Sequence, residues 1–375
     1  MTMEESRRRA LTRAGKVALV CTVGAWACSD DGNPTLPGEI QSQLTCSINT
    51  NEVRSGGVSR DGIPALTDPP LVGLNQPAKF SYMLPDDRVI GIVLDGQPIA
   101  VPHNVLWWHE IVNLNRGGQE VAVSFCPLTG SSLAFDRTAI GGAPLGVSGL
   151  LFQNNLVMFD RNNQGRDEDS LWPQMMAQAR CGPQDGVRLP QFPVVEMDWR
   201  GWMEQYPNTL IISGDLGFSR DYTLYPYGNY ESLSDREFVF TMPVFDDRRQ
   251  QKERVVGVPG FDGSGIAFPF LALAREGDYV AVEETFKGDP IVLLWDSESR
   301  GGMVYSPVVG GDVLSFTATA DGFVDQGTGS RWDVMGEAVD GPLTGTTLEP
   351  IAETYVAFWG AWINFHTQSR LWEAE

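Results

Sequence analysis

Arg88-Val89-Ile90-Gly91-Ile92 recurs, roughly 160 residues further on, as Arg254-Val255-Val256-Gly257-Val258, and this repetition sets the reading of the whole chain. The matches continue in order on both sides of it. Ile99-Ala100-Val101-Pro102 returns as Ile266-Ala267-Phe268-Pro269, and Ser170-Leu171-Trp172 as Ser330-Arg331-Trp332. The longest match sets MAQARCGPQDGVRL, from Met176 to Leu189, against MGEAVDGPLTGTTL, from Met335 to Leu348. Trp199 and Trp202 return as Trp359 and Trp362. Chance does not preserve such an order, so a tandem duplication is expected.

Each half carries the same local grammar. A hairpin of β-branched residues, Val89 to Val93 and Pro98 to Val101, turns at Asp95-Gly96. Pro102 then opens a helix near its first position, where its missing N–H costs nothing. Alternating strands are expected at Val121–Phe125, Ser132–Phe135, Gly149–Phe152 and Leu156–Phe159, with a helix over Trp172–Ala179. A helix over Trp199–Gln205 and a strand over Thr209–Ile212 close the unit. Strands dominate, and Gly (41) and Pro (24) are plentiful enough for many tight turns. The expected fold class is α+β, two mostly antiparallel β units with short helices, packed face to face with the Trp pairs as core or interface.

The N-terminus reads as an export signal. Arg7-Arg8-Arg9 supplies positive charge, and the apolar stretch Val17–Ala27 is too short to span a bilayer. It ends at Ala25-Trp26-Ala27-Cys28, which resembles a bacterial lipobox with Cys28 as the lipid-bearing residue. Ser6-Arg7-Arg8 with Leu11 resembles a twin-arginine signal, although Ala10 stands where phenylalanine is usual, so export by the Sec or the twin-arginine route is expected. The expected organisation is a signal over 1–28, a flexible tether over 29–58, a first repeat over 59–215, a linker over 216–250 and a degenerate second repeat over 251–375. The expected address is the cell envelope, with the membrane as partner through the lipid. A net charge of −21 and no basic patch beyond the N-terminus exclude nucleic acid as a partner.

Cysteine usage follows from that address. Once Cys21 leaves with the signal and Cys28 takes lipid, Cys46, Cys126 and Cys181 remain in an oxidising compartment. Cys181 is replaced by Asp340 in the second repeat, which marks it as optional to the fold; the expected pair is Cys46 with Cys181, leaving Cys126 free.

The duplication also separates scaffold from site, because polar residues present in one half only are candidates for function. His109 falls opposite Glu276, and Cys126 opposite Asp296. The first half contains Trp107-Trp108-His109-Glu110-Ile111-Val112-Asn113 on the expected helix, then Cys126-Pro127-Leu128-Thr129-Gly130-Ser131 leaving a strand. A thiolate beside an imidazole gains nucleophilicity or becomes a soft metal ligand. Cys126, His109 and Glu110 are therefore the catalytic candidates, with Asn113, Ser131 and Trp172 as binding candidates. Cys126 and His109 would suit a copper or zinc ion, although ordinary sites want three or four ligands. Only three histidines exist, His103, His109 and His366, which excludes a histidine-rich site. No nucleophile elbow, phosphate loop, dinucleotide fingerprint or zinc-protease motif is present.

These motifs, read with Val89-Ile90-Gly91-Ile92, Gly146-Val147-Ser148-Gly149, Asp160-Arg161 and Ser170-Leu171-Trp172-Pro173-Gln174, resemble the prokaryotic family known as domain of unknown function 3179. The resemblance covers about residues 60 to 215 and is weak beyond 250. The resemblance implies a second cysteine after Cys-Pro-Leu in many members; here Thr129 occupies that place, which argues against a dithiol redox role. The family implies no activity. Two functions stand at this point: a thiol- or metal-dependent site on Cys126, His109 and Glu110, or a non-enzymatic envelope lipoprotein binding a protein or small molecule between its repeats.

Overall fold

The computed structural model describes residues 45–162 and 169–373; the expected export signal, Cys28 and the first part of the expected tether lie outside them. The first unit contains β1 (Val53–Ser55), β2 (Leu66–Thr67), β3 (Leu71–Gly73), β4 (Arg88–Leu94), β5 (Gln97–Pro102) and α1 (His103–His109). It continues with β6 (Ile111–Arg116), β7 (Gln119–Cys126), β8 (Ser131–Asp136), β9 (Leu145–Phe152), β10 (Asn155–Asp160), β11 (Leu171–Pro173), β12 (Val195–Asp198), α2 (Trp199–Gln205) and β13 (Leu210–Ile212).

The second unit runs through β14 (Arg254–Pro259), β15 (Ser264–Pro269), α3 (Phe270–Glu276), β16 (Tyr279–Phe286), β17 (Asp289–Asp296) and β18 (Gly301–Ser306). The short β19 (Val308–Val309) and β20 (Asp312–Val313) precede β21 (Phe316–Thr319), β22 (Gly322–Asp325), β23 (Arg331–Trp332), β24 (Ala338–Asp340) and β25 (Glu349–Pro350). β26 (Tyr355–Phe358), α4 (Trp359–Phe365) and β27 (Gln368–Leu371) complete it. The fold is α+β, mostly β, with largely antiparallel sheets.

Equivalent elements use equivalent contacts. The hairpin β4–β5 pairs antiparallel with β12 and parallel with β13, and β14–β15 does the same with β26 and β27. Gly91 and Gly257 each lie against an indole, that of Trp202 or Trp362, because a larger residue would leave no room for the ring. Trp202 Nε1 donates to Thr209 Oγ1 and Trp362 Nε1 to Ser369 Oγ, both at 2.8 Å.

The two units exchange sheet edges. β26 joins β8 through Val356 and Ser132, so β2-β6-β7-β8 and β26-β14-β15-β27 form one eight-stranded sheet. Reciprocally, Asp198 N donates to Ser299 O on the second unit, as Phe358 N donates to Thr129 O on the first, each at 2.8 Å. Trp199 and Trp202 share a core with Val292, Leu294 and Trp332, while Trp359 and Trp362 share one with Leu133, Leu156 and Trp172. The Trp pairs are thus both core and interface.

Three expectations need correction. Trp172–Ala179 is not a helix: Trp172 lies in β11, paired with β10, and the short 3-10 turn Gln174–Met176 ends at Ala177 in a left-handed conformation. Sheet pairing overrides the helix preference of that Met/Gln/Ala-rich stretch. The tether does not reach residue 58, since β1 pairs with β9 and Cys46 is disulfide-bonded to Cys181 across 135 positions. The 216–250 stretch has no strand or helix, yet it packs over the first unit with Tyr222 and Tyr230 buried.

Candidate functional site

Helix α1 stops where Glu110 takes a left-handed backbone, φ 57 and ψ −31, and its N–H donates to Leu106 O at 2.8 Å. Its own carbonyl accepts from Phe125 N at 2.8 Å, which draws Glu110 to the end of β7. A left-handed glutamate is uncommon, and such conformations concentrate at functional sites. The residue is 8% exposed. Burial pushes its pKa up to about 8, which favours the protonated acid near neutral pH.

Cys126 ends β7. Its sulfur accepts from Leu156 N at 3.3 Å and lies 3.7 Å from the Asn154 carbonyl, to which it donates. The thiol is unpaired and 1% exposed. Burial pushes its pKa up to about 11, the nearby Glu110 carboxyl adding to the rise and Thr129 opposing it. The sulfur therefore stays protonated and weakly nucleophilic.

His109 does not join it. Its Nδ1 meets Pro64 O at 2.7 Å and its Nε2 meets the Tyr222 hydroxyl at 2.9 Å, with Phe218 edge-on to the ring. Since the carbonyl can only accept, Nδ1 carries the proton and Nε2 accepts from Tyr222. Burial pushes its pKa down, opposed by the Pro64 hydrogen bond. The expected thiolate–imidazole pair is thus absent: the reversal of the chain at Glu110 sends His109 and Glu110 to different neighbours.

The binding candidates are spoken for as well. Asn113 lies on β6 rather than on a helix; it donates to Leu66 O and Leu145 O and accepts from Leu145 N, tying three segments together. Ser131 belongs to a closed network with Thr129, Asn155 and Gln174, and Gln174 also donates to Ser124. Trp172 is wholly buried among apolar side chains. Cys126 and His109 face different partners, the sulfur Leu156 N and Asn154 O, the imidazole Pro64 O and the Tyr222 hydroxyl. Among the described residues no group of three or more His, Cys, Asp or Glu is placed to hold a metal.

A tyrosine roof, invisible as a pattern in the sequence, covers Glu110 and Cys126. Tyr225 stacks edge-on at 5.0 Å against Trp107, Tyr227 donates to Trp107 O at 3.4 Å, and Tyr230 donates to Leu128 O at 2.9 Å. Burial raises the Tyr227 hydroxyl pKa well above its ordinary value, and Glu110 and Cys126 add to the rise. Behind Tyr230, Lys252 is 1% exposed, with Nζ 3.0 Å from the centre of that ring and no hydrogen-bond partner among the described residues. Burial pushes its pKa down to about 7. The uneven spacing of Tyr222, Tyr225, Tyr227 and Tyr230 in an irregular segment fits neither helix nor strand, so periodicity could not have found them.

A second buried cluster fills the junction between the units. Glu196 accepts from Arg88 Nε and Ser132 Oγ, with His103 Nε2 at 3.6 Å and Arg254 Nε at 3.7 Å. Burial opposes its ionisation, but Arg88 and then His103 hold its pKa well below the usual carboxylate range. Asp198 pairs with Arg300 at 2.7 Å. Ion pairs thus lie at the junction of the two units.

A family model described as "Protein of unknown function (DUF3179)" matches residues 60–369, across both units. No curated protein and no solved structure matches the chain.

Proposed function

The chain belongs to the DUF3179 family, and on that footing we propose that it is an exported, lipid-anchored envelope protein with a protonated-acid site at Glu110 in its first unit. Cys28 in its lipobox-like setting supports the address. The repeated contacts of Gly91 with Trp202 and Gly257 with Trp362 support descent of the two units from one by tandem duplication. The site acts on an uncharged ligand bearing an oxygen or nitrogen acceptor. Glu110 donates a hydrogen bond to it, or a proton where the ligand's chemistry demands one. Cys126 contributes a neutral thiol wall and Tyr227 a hydroxyl.

One observation carries this reading: a glutamate nine-tenths buried, without an ion pair among the described residues, on backbone that favours glycine. An ion pair would explain a buried glutamate structurally, and Glu110 has none among the described residues; its backbone, not its carboxyl, caps α1.

Infrared difference spectroscopy tests it. A carboxylic-acid carbonyl band should persist at neutral pH, fade as pH rises through about 8, and be missing in Glu110→Gln. The linked effect on stability has a definite sign. The folded state holds this proton more tightly than the unfolded one, so the Glu110 contribution to stability is fully present below about 4.5 and is lost as pH rises to about 8. The decline should be on the order of a few kcal/mol and absent in Glu110→Gln. A band that titrates near 4.5 would sink the proposal.

A further inference from the structure

A concavity lies away from Glu110, between the 213–253 segment and helix α3. It encloses about 290 Å³ and is lined by Arg236, Arg248 and Arg249 from the segment and Arg275 from the last turn of α3. The chain has 48 acidic residues against 27 basic ones, so four arginines around one cleft invert the local sign. Asp247 and Glu253 are the acidic residues in the lining. Arg248 pairs with Asp246 at 2.7 Å and Arg249 with Glu253 at 2.9 Å. Those pairs leave Arg236 and Arg275 without an ion pair among the described residues, and the buried Nε of Arg249 without an acceptor.

The apolar part of the lining is equally specific. Phe245 is 69% exposed and Leu271 is exposed too, both large side chains left in water at the edge of the same cleft. Guanidinium forks bind oxyanions through paired N–H donors, and a tetrahedral phosphate offers enough oxygens for several forks at once, where a carboxylate fills one. A cavity of this size admits a small ligand. We propose that this cleft binds a phosphate ester, its phosphate among the four arginines and its organic substituent against Phe245 and Leu271. Such an ester comes either from a soluble phosphomonoester or from a phospholipid headgroup.

Calorimetry on the full chain distinguishes these sources. Phenyl phosphate and inorganic phosphate serve as soluble probes, and phosphatidylcholine vesicles carrying phosphatidylglycerol as the lipid probe. Saturable binding of phenyl phosphate, tighter than inorganic phosphate and weakened by salt, is expected for the soluble source. Binding to the charged vesicles without binding of phenyl phosphate assigns the lipid source. In either case Arg236→Gln with Arg275→Gln, two exposed residues outside the ion pairs, should weaken binding about tenfold or more. Phe245→Ser should abolish the preference for phenyl over inorganic phosphate. Failure of all three probes to bind, or equal binding by the double variant, overturns the proposal.

Discussion

The two units agree where they pack and differ where they carry charge. Gly91 against Trp202 and Gly257 against Trp362 are the same contact, made twice. So are the hydrogen bonds from Trp199 N to Asp87 O and from Trp359 N to Glu253 O, each 2.7 Å. Several polar residues do not repeat, although Arg88 and Arg254 do. His103, which reaches toward Glu196, sits where the second unit has Phe270, and Glu196 sits where it has Val356. Glu110 follows α1 as Gly277 follows α3. Repeated contacts report what the fold requires, and unrepeated ones report what was added to it.

The largest expected difference falls on Glu196. Glu196→Gln leaves Arg88 and Arg254 facing a neutral amide in a buried junction, and should cost roughly 3–5 kcal/mol in denaturant unfolding. Its pH dependence runs opposite to that of Glu110. Since the folded state holds Glu196 ionised well below its ordinary value, its contribution is present above about 4.5 and is lost as pH falls further. A loss under about 1 kcal/mol would place the Glu196 cluster among the solvated pairs and erase the contrast with Val356.

Next come the two glycines. A Cβ on Gly91 or Gly257 would fall closer than 3.0 Å to ring atoms of Trp202 or Trp362, and neither buried ring can swing away. Gly91→Ala and Gly257→Ala should each cost about 1–3 kcal/mol, with similar values for both. A benign substitution on one side only would show that one unit has relaxed its packing.

The same comparison explains what could be read in advance. The hairpins, the Trp-bearing helices and the strands around Cys126 follow from apolar periodicity and turn residues, and the structure has them. The helix expected over Trp172–Ala179 fails because helix-favouring side chains were weighed without their backbone. A warning was present: Gly336 stands at the place of Ala177, and both are left-handed. Gly277 beyond α3 gives the same hint about Glu110, which is expected on the helix and instead ends it. A glycine in one unit thus marks a strained position in the other. The tyrosine roof and the Glu196 cluster were out of reach, because they join segments with no sequence period in common.

The smallest expected effect probes the shared scaffold at its finest. Trp202 Nε1 and Trp362 Nε1 are buried donors, each with one acceptor, the hydroxyl of Thr209 or Ser369. That hydroxyl in turn donates to the next carbonyl, Leu210 O at 3.0 Å or Arg370 O at 3.2 Å. Removing it strands the indole N–H away from water, so Thr209→Val and Ser369→Ala should each cost about 1–2 kcal/mol. Thr209→Ser, which keeps the hydroxyl and copies the second unit, should cost less than Thr209→Val. If Thr209→Ser destabilised as much as Thr209→Val, the methyl group rather than the hydrogen bond would be holding that turn, and the two units would share a shape there without sharing its cause.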